Sequence, residues 1–194
     1  VDKGIIRTIM KKSLLTAFYK LTHPGVKDNN IPYWYKRSIL EELWHLIRKG
    51  ICQNIAPNCV LTPVRLWLYR LCGFKIGKNV FIGMKCYLDD LCVDKCVIED
   101  NVTISYGVYM TQHGSGQNHN RLIFRKGSYV GMRSMIVARD EVTEIGGNAI
   151  IGAGSLVLHS IPSDTVYAGN PARKVNDRKK NFLHLEKVFL DSMV

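Results

Sequence analysis

Two histidines lie in a polar segment between two short apolar runs, where residues 108–124 read VYMTQHGSGQNHNRLIF. His113 and His119 lie at the two ends of a segment that is rich in Gly, Ser and Asn. An imidazole exchanges a proton near neutral pH, so a histidine beside a polar loop can act as a general base toward a hydroxyl group. A structural role, or contact with solvent, is the alternative for each of them. The fold that the surrounding sequence predicts distinguishes these roles.

Acidic and thiol side chains are concentrated before those histidines. Asp89 and Asp90 are adjacent in CYLDDLC, where they can cap a turn or belong to a polar site. The six cysteines, at 52, 59, 72, 86, 92 and 96, do not have the spacing of a zinc site. We therefore expect no metal site. We also expect reduced, buried thiols in a reducing compartment, with a disulfide framework as the weaker alternative.

A six-residue apolar period begins at residue 76 and predicts the fold class. The chain reads IGKNVF and IGMKCY, IEDNVT and ISYGVY, FRKGSY and VGMRSM, then IGGNAI and IGAGSL. Each hexad predicts a short parallel strand and a turn, and three hexads predict one triangular coil with its in-phase residues inside. The in-phase residue recurs at twelve positions, and each of them is Ile, Leu, Val, Met or Phe: 76, 82, 88, 98, 104, 110, 124, 130, 136, 145, 151 and 157. The chain is therefore predicted to be mainly β, a parallel β-helix. The interruptions at 89–97, 111–123 and 138–144 are where function is expected.

The segment before residue 76 has helical periodicity instead. RSILEELWHLIRKG and TPVRLWLYRLCG place apolar residues at helical spacing, and Gly50 and Gly73 are natural ends. A stacked coil needs an end cap, which we expect the helix over 63–72 to supply. The predicted organisation is a basic helical segment and cap over 1–75, a β-helix over 76–167 and a tail over 168–194. A loop over 111–123 is predicted to protrude from the β-helix, and the tail is predicted to be partly helical.

Positive charge is concentrated in the first part of the chain. Residues 1–75 contain 13 Lys or Arg and 4 Asp or Glu, which gives +9, whereas residues 76–194 contain 14 and 12, which gives +2. All three tryptophans also lie in the first part. This composition fits an anionic membrane surface, a phosphorylated carrier or nucleic acid, and a solvated helical face is the alternative. No apolar run is long enough to span a bilayer, and the first residues lack a signal-peptide pattern. We expect a cytoplasmic protein for which residues 1–50 offer peripheral membrane contact.

The repeats and the final block of the pattern resemble the hexapeptide-repeat acyltransferases. Within that family they are similar to the maltose/galactoside and polysaccharide O-acetyltransferases. The resemblance covers about residues 63 to 176 and rests on IGKNVFIG, IEDNVTISYGVYMTQH and IIGAGSLVLHSIPSDTVYAGNPARKV. It implies a left-handed β-helix, a homotrimer and acetyl-CoA as the acyl donor.

The resemblance also implies roles for particular residues. His113 matches the family's general base, and His119 is the alternative base or a substrate contact. Asp89 lies where the family has a polar residue that binds the acceptor sugar or orients the histidine. The implied donor contacts are Tyr129, Ala153, Gly154, Ser155, Arg173 and Lys174. The last two would meet the phosphates of CoA, with a solvated basic tail as their alternative role.

The function that the resemblance implies is O-acetylation of a sugar in a bacterial surface polysaccharide or its precursor, by direct transfer with a His base. N-acetylation of an amino sugar or an antibiotic is the alternative on the same fold. A metal hydratase like the γ-carbonic anhydrases would need three His around zinc, which the spacing of the histidines does not favour. A non-enzymatic solenoid would leave the His-bearing loop unexplained. We expect no nucleic-acid partner, because no recognition module is evident.

Overall fold

A computed structural model describes residues 14–32, 35, 39–113 and 119–178 of the chain. The chain divides into two compact units, Val1–Gly50 and Ile51–Val194. In the first unit, helix α1 spans Leu14–Thr22, a 3₁₀ turn spans Asp28–Asn30, and helix α2 spans Ile39–Gly50. No helix among the described residues has both the length and the apolar content to cross a bilayer.

The second unit begins with two short helical turns and a helix, which close one end of the β-structure. A π-helical turn spans Ile51–Ile55, a 3₁₀ turn spans Ala56–Asn58, and helix α3 spans Thr62–Leu71. Leu66 and Tyr69 of α3 are buried in the same core as the strands. The helix over 63–72 therefore packs on the coil and belongs to the same compact unit, Ile51–Val194.

A buried arginine ties α3 to the first coil. Arg65 is 1% exposed, and its Nε donates to the carbonyl oxygen of Ile82 at 2.7 Å. Its other nitrogens donate to the carbonyl oxygen of Cys59 and to Oγ1 of Thr62. Because a buried guanidinium is costly unless its donors are satisfied, these bonds hold the cap in one position.

In the described residues thirteen short strands follow, most of them two to four residues long. They are β1 Lys75–Ile76, β2 Phe81–Ile82, β3 Cys96–Ile98, β4 Thr103–Ile104, β5 Tyr109–Thr111, β6 Arg121–Phe124, β7 Tyr129–Val130, β8 Met135–Val137, β9 Val142–Ile145, β10 Ile150–Ile151, β11 Leu156–Val157, β12 Thr165–Ala168 and β13 Arg173–Asp177. The first sheet has the order β1-β3-β6-β9, the second β2-β4-β7-β10-β12-β13, and the third β5-β8-β11. All neighbours are parallel except β12 and β13. The chain contributes one strand to each of the three sheets in succession and forms a left-handed β-helix of about four coils.

The in-phase apolar residues form the core that the hexads predict. Eleven of them are buried in one cluster, and Ile76, in the first coil, is partly buried against it. They stack coil on coil, as in the register Ile82, Ile104, Val130 and Ile151 along the second sheet. Burial of this column is the main stabilising term, because each hexad alone makes few backbone hydrogen bonds.

Asparagine and glycine adopt the turn conformations that the coils require. Asn79, Asn101 and Asn148 have φ between 51° and 57° at the same corner. This left-handed conformation is one that Asn tolerates better than most residues. A Cβ at Gly131 would lie 2.5 Å from the backbone nitrogen of Ala153 in the next coil. The close spacing of coils thus explains why small residues follow the inward apolar ones.

The described part of the tail is a strand rather than a helix. After β12 the chain reverses, and β13 pairs antiparallel with β12 at the edge of the second sheet. The predicted helical content of the tail falls on residues 179–194, outside the described residues.

Candidate active site

An Asp–His pair lies at the edge between the third and first sheets. His113 follows β5 by two residues, and Asp89 lies one coil earlier, just after the inward residue Leu88. Nδ1 of His113 lies 2.5 Å from Oδ2 of Asp89. The Asp89 side chain is fully buried, whereas that of His113 is 37% exposed. One end of the imidazole is therefore anchored inside the protein, and the ring still reaches the surface.

Backbone amides surround the Asp89 carboxylate. Its Oδ2 accepts hydrogen bonds from the backbone nitrogens of Gln112 at 2.8 Å and His113 at 3.2 Å, and its Oδ1 accepts one from Leu91 at 3.1 Å. The Asp89 carboxylate is therefore held in one orientation by three amide donors. With a carboxylate oxygen as its partner, Nδ1 of His113 carries the ring hydrogen and Nε2 keeps the free lone pair. This is the tautomer that a general base needs.

Two buried thiols lie close to the same carboxylate. Burial, and then the negative charge of Asp89, raise the pKa of Cys92 and of Cys96 to about 12. All six cysteines are free, as the sequence predicts. These thiols are therefore packing groups and weak nucleophiles. No group of three or more His, Cys, Asp or Glu in the described ranges is arranged to hold a metal ion.

The polar loop after His113 is closed at its base. His113 and His119 face each other in an antiparallel bridge. The backbone nitrogen of Asn120 donates to the carbonyl oxygen of Gln112 at 2.8 Å. Nζ of Lys95 donates to the carbonyl oxygen of His119 at 2.6 Å. His119 thus lies across the loop base from His113, but without a carboxylate partner in the described part of the chain. The loop tip, 114–118, is outside the described residues.

Asp90 was grouped with Asp89 in the sequence, but the structure gives it different partners. It is 3% exposed, and its Oδ1 accepts a hydrogen bond from Nε2 of Gln53 at 2.8 Å. Its Oδ2 is buried and has no partner among the described residues, and the same holds for Oε1 of Gln112. Buried acceptors without donors are costly, and an enclosed water is the usual donor at such positions. The helical turn that supplies Gln53 gave no sequence signal for this role.

The predicted donor contacts lie on another part of the solenoid. Tyr129 is half-buried on β7, and its hydroxyl accepts a hydrogen bond from Oγ of Ser105 at 3.2 Å. Ala153 and Gly154 are exposed in the turn between β10 and β11, and Gly154 has φ +67°. Ser155 is buried, because its hydroxyl donates to the carbonyl oxygen of Gly152 at 2.6 Å. The same hydroxyl accepts a hydrogen bond from the backbone nitrogen of Gly169 at 3.1 Å, so it both donates and accepts within the protein.

The two basic residues of the donor prediction lie on β13. Arg173 is exposed, and among the described residues its guanidinium donates to a neighbouring carbonyl oxygen, that of Ala172. Lys174 pairs with Asp177 at 2.6 Å, and this contact raises the pKa of its ammonium group. Arg173 is the less engaged of the two cations.

A separate open groove of about 720 Å³ lies beside the first sheet. Its charged residues bond one another, since Arg125 donates to Glu99 at 2.8 Å and to Glu144 at 2.6 Å. None of its lining residues belongs to the Asp–His pair. The chemistry therefore points to the exposed edge at His113 rather than to this groove.

Three curated relatives are similar to this chain. A galactoside O-acetyltransferase from Escherichia coli K12 is 34% identical in a match that covers 60% of this chain and 64% of that relative's length. A serine acetyltransferase from Buchnera aphidicola is 32% identical, covering 97% of this chain and 71% of the relative. A galactoside O-acetyltransferase from Lactococcus lactis is 28% identical over 79% and 78% of the two chains.

The chain belongs to the hexapeptide-repeat acetyltransferases. A solved hexapeptide-repeat acetyltransferase from Vibrio cholerae shares the fold, with a TM-score of 0.54 and 17% identity over 74% of this chain and 95% of that one. No family model matches the chain.

Membership of the hexapeptide-repeat acetyltransferases confirms three predictions. The fold is the left-handed β-helix with a helical start, the enzyme class is acyltransferase, and the acyl donor is acetyl-CoA. Exposed Ala153 and Gly154 fit that donor, because a turn without bulky side chains lets a pantetheine arm approach backbone amides. The individual roles of His113, Asp89 and the donor residues stay predictions.

Proposed function

We propose that this protein transfers the acetyl group of acetyl-CoA to a hydroxyl of a sugar, within a bacterial surface polysaccharide or its precursor. The observation that carries the proposal is the bond between His113 and the fully buried Asp89. Similarity to two galactoside O-acetyltransferases supports a sugar as the acceptor. The match to the Escherichia coli enzyme covers 64% of that protein's length, so the acceptor has to be tested directly.

The proposed reaction is a single direct transfer. Nε2 of His113 takes the proton of the acceptor hydroxyl while that oxygen attacks the thioester carbonyl carbon. The new C–O bond forms, the C–S bond breaks, and the CoA sulfur leaves with the proton that the imidazolium returns. Asp89 stabilises the positive charge that the ring carries between these two proton transfers. No covalent acyl-enzyme is required.

Asp90 is proposed to support the site from inside the protein. Its buried Oδ2 has no donor among the described residues, so an enclosed water would satisfy it. The bond from Gln53 holds the other carboxylate oxygen and thereby fixes the chain next to Asp89.

The positions of the two half-sites favour a homotrimer. His113 lies at the edge between the third and first sheets, whereas the turn with Ala153 and Gly154 lies between the second and third. These are opposite edges of the third sheet, and roughly 15 Å of strand separates them at ~3.3 Å per residue. One chain therefore does not bring its own turn to its own His113.

The outward face of the third sheet offers the contact between copies. Its column of outward residues is Tyr87, Tyr109, Met135 and Leu156. The rings of Tyr87 and Tyr109 stack at 4.2 Å, and Tyr109 and Met135 are 40% and 44% exposed. If three such faces surround a three-fold axis, the His113 edge of one chain adjoins the Ala153 edge of its neighbour. The proposed active site is thus shared between chains.

Serine is the second candidate acceptor. The serine acetyltransferase from Buchnera aphidicola matches 97% of this chain, a longer stretch than either galactoside enzyme matches. Serine also presents a hydroxyl, so the same base and donor would serve it. N-acetylation of an amino sugar or an antibiotic stays a further alternative.

Thiol release from acetyl-CoA tests the proposal. Wild type, His113→Ala and His119→Ala are each incubated with galactosides, polysaccharide fragments, lipid-linked oligosaccharides, amino sugars and serine. We expect release to depend on a sugar acceptor and to fall by about 10² or more in His113→Ala only. Release with serine alone would replace the sugar proposal. Equal activity of His113→Ala and wild type would remove His113 from the mechanism, and loss in His119→Ala alone would reassign the base.

A further inference from the structure

Helix α3 carries a second apolar face, directed away from the coil it closes. Its inward side buries Leu66 and Tyr69. Its other side exposes Val64 by 41%, Trp67 by 58% and Leu71 by 47%, at helical spacing. Val60 and Leu61, just before the helix, are 76% and 65% exposed. We call these five residues the cap surface. A contiguous apolar surface of this kind marks an interaction site.

The charges within residues 51–88 all have one sign, since this stretch contains five Lys or Arg and no Asp or Glu. Arg65 is buried and bonded, but Arg70, Lys75, Lys78 and Lys85 are exposed. The next coil contributes Asp100, whose Oδ1 accepts a hydrogen bond from the backbone nitrogen of Lys78 at 2.6 Å. None of the four exposed cations is in a side-chain ion pair within the described part of the chain. Apolar residues that include a tryptophan, bordered by an excess of cations, match an anionic bilayer surface.

We propose that the cap surface binds the surface of an anionic phospholipid bilayer. Val60, Leu61, Val64, Trp67 and Leu71 would enter the boundary between headgroups and acyl chains, while the four cations contact lipid phosphates. The attraction from each basic residue and the burial of each apolar side chain add, which makes binding dependent on anionic lipid and on salt. This inference does not depend on which acceptor the enzyme uses.

The proposed trimer would strengthen this binding. A three-fold axis parallel to the coil places all three cap surfaces at the same end of the assembly. Three weak contacts on one rigid body bind far more tightly than one. His113 lies in the second coil from that end, so an acceptor attached to a lipid would reach it close to the membrane.

Vesicle sedimentation of the full chain tests the proposal. The vesicles contain phosphatidylcholine alone or phosphatidylcholine with phosphatidylglycerol, at low and at physiological salt. We expect wild type to bind only the anionic vesicles, and Trp67→Asp to weaken binding about tenfold. Lys75→Glu with Lys78→Glu should weaken it by roughly fivefold for each residue. Val142→Asp is the matched control, because Val142 is 43% exposed on another face, close to the 41% of Val64.

Three outcomes would overturn the inference. The first is wild type that fails to bind anionic vesicles. The second is unchanged binding of Trp67→Asp; Trp44→Asp, in α2, then tests whether binding belongs to residues 1–50 as the charge distribution first suggested. The third is a smaller assembly of Trp67→Asp by light scattering, which would show that the cap surface is a contact between copies. Thiol release with a soluble acceptor should be the same in all these variants, so a failure of the proposed reaction would be seen separately.

Discussion

Nδ1 of His113 lies 2.5 Å from Oδ2 of Asp89, and the two residues belong to successive coils of the β-helix. The carboxylate is buried and the imidazole is partly exposed. Stacking of the coils therefore aligns a charged acceptor beneath a surface histidine, and the same contact sets the tautomer of the ring. Asp89 acts through His113, which makes it a positioning residue.

Asp89→Asn should lower kcat with little change in the KM for either substrate. An amide has one oxygen, so it cannot accept the bonds from Leu91, Gln112 and His113 and also stabilise an imidazolium. We expect a fall in kcat of roughly 10² or more, as for loss of a general base. Steady-state thiol release, with the melting temperature measured in parallel, checks this.

Asp94→Asn is the matched control for that substitution. Asp94 lies in the same segment between the first and second coils but is exposed. It should retain wild-type kcat. If Asp89→Asn also retains kcat while the protein stays folded, the carboxylate has no part in the reaction.

The in-phase apolar residues and the turn glycines were readable from the sequence because a coil repeats the same local rule. Met110 and Ile136 stack in the third sheet for the reason that Ile82 and Ile104 stack in the second. The pairing of Asp89 with His113 was only half predicted. The resemblance offered two roles for Asp89, and the distance to Nδ1 favours the orienting one.

Contacts between the coils and other elements could not be predicted from the sequence. Gln53 is separated from Asp90 by 37 residues, and nothing in its local sequence indicates this bond. Ser155 was predicted as a donor contact through the small residues of its turn, and its hydroxyl bonds to the carbonyl oxygen of Gly152 within that turn, a contact that the sequence did not indicate. Helical periodicity predicted one apolar face for α3, whereas the exposed positions of Trp67 and Leu71 reveal a second. Periodicity identifies the buried face of an element and does not describe its other side.

Gly131→Ala should be strongly destabilising, whereas Gly154→Ala should be mild. A Cβ at Gly131 would lie 2.5 Å from the backbone nitrogen of Ala153, which cannot move without displacing a coil. We expect a loss of about 3 kcal/mol in the free energy of unfolding, as for overpacking. A Cβ at Gly154 meets nothing within 4 Å, so only its φ of +67° costs roughly 1 kcal/mol. Urea unfolding of the two variants measures both, and equal losses would contradict the close approach of coils.

Alkylation should separate Cys59 from the cysteines near the active site. Burial raises the pKa of Cys92 and Cys96 to about 12, so thiolate is scarce at pH 8. Cys59 is only partly buried. Iodoacetamide followed by peptide mass spectrometry should find Cys59 modified first and the other two protected, and denatured protein should show all six modified. Early modification of Cys92 in the native protein would mean that the segment beside Asp89 opens readily.

Mixed assemblies should show whether the active site is shared between chains. His113→Ala removes the base, and Ala153→Trp fills the exposed turn proposed for the donor, so each variant alone should be inactive. In a shared site, the chain that supplies His113 has to be the Ala153→Trp variant and its neighbour the His113→Ala variant. Random co-assembly of equal amounts then makes about a quarter of the sites complete, since each of the two conditions holds about half the time. Thiol release should therefore reappear after the two variants are unfolded and refolded together, but not when the folded variants are simply combined. If the co-refolded sample stays inactive while refolded wild type recovers, both half-sites belong to one chain, and the trimeric site would have to be abandoned.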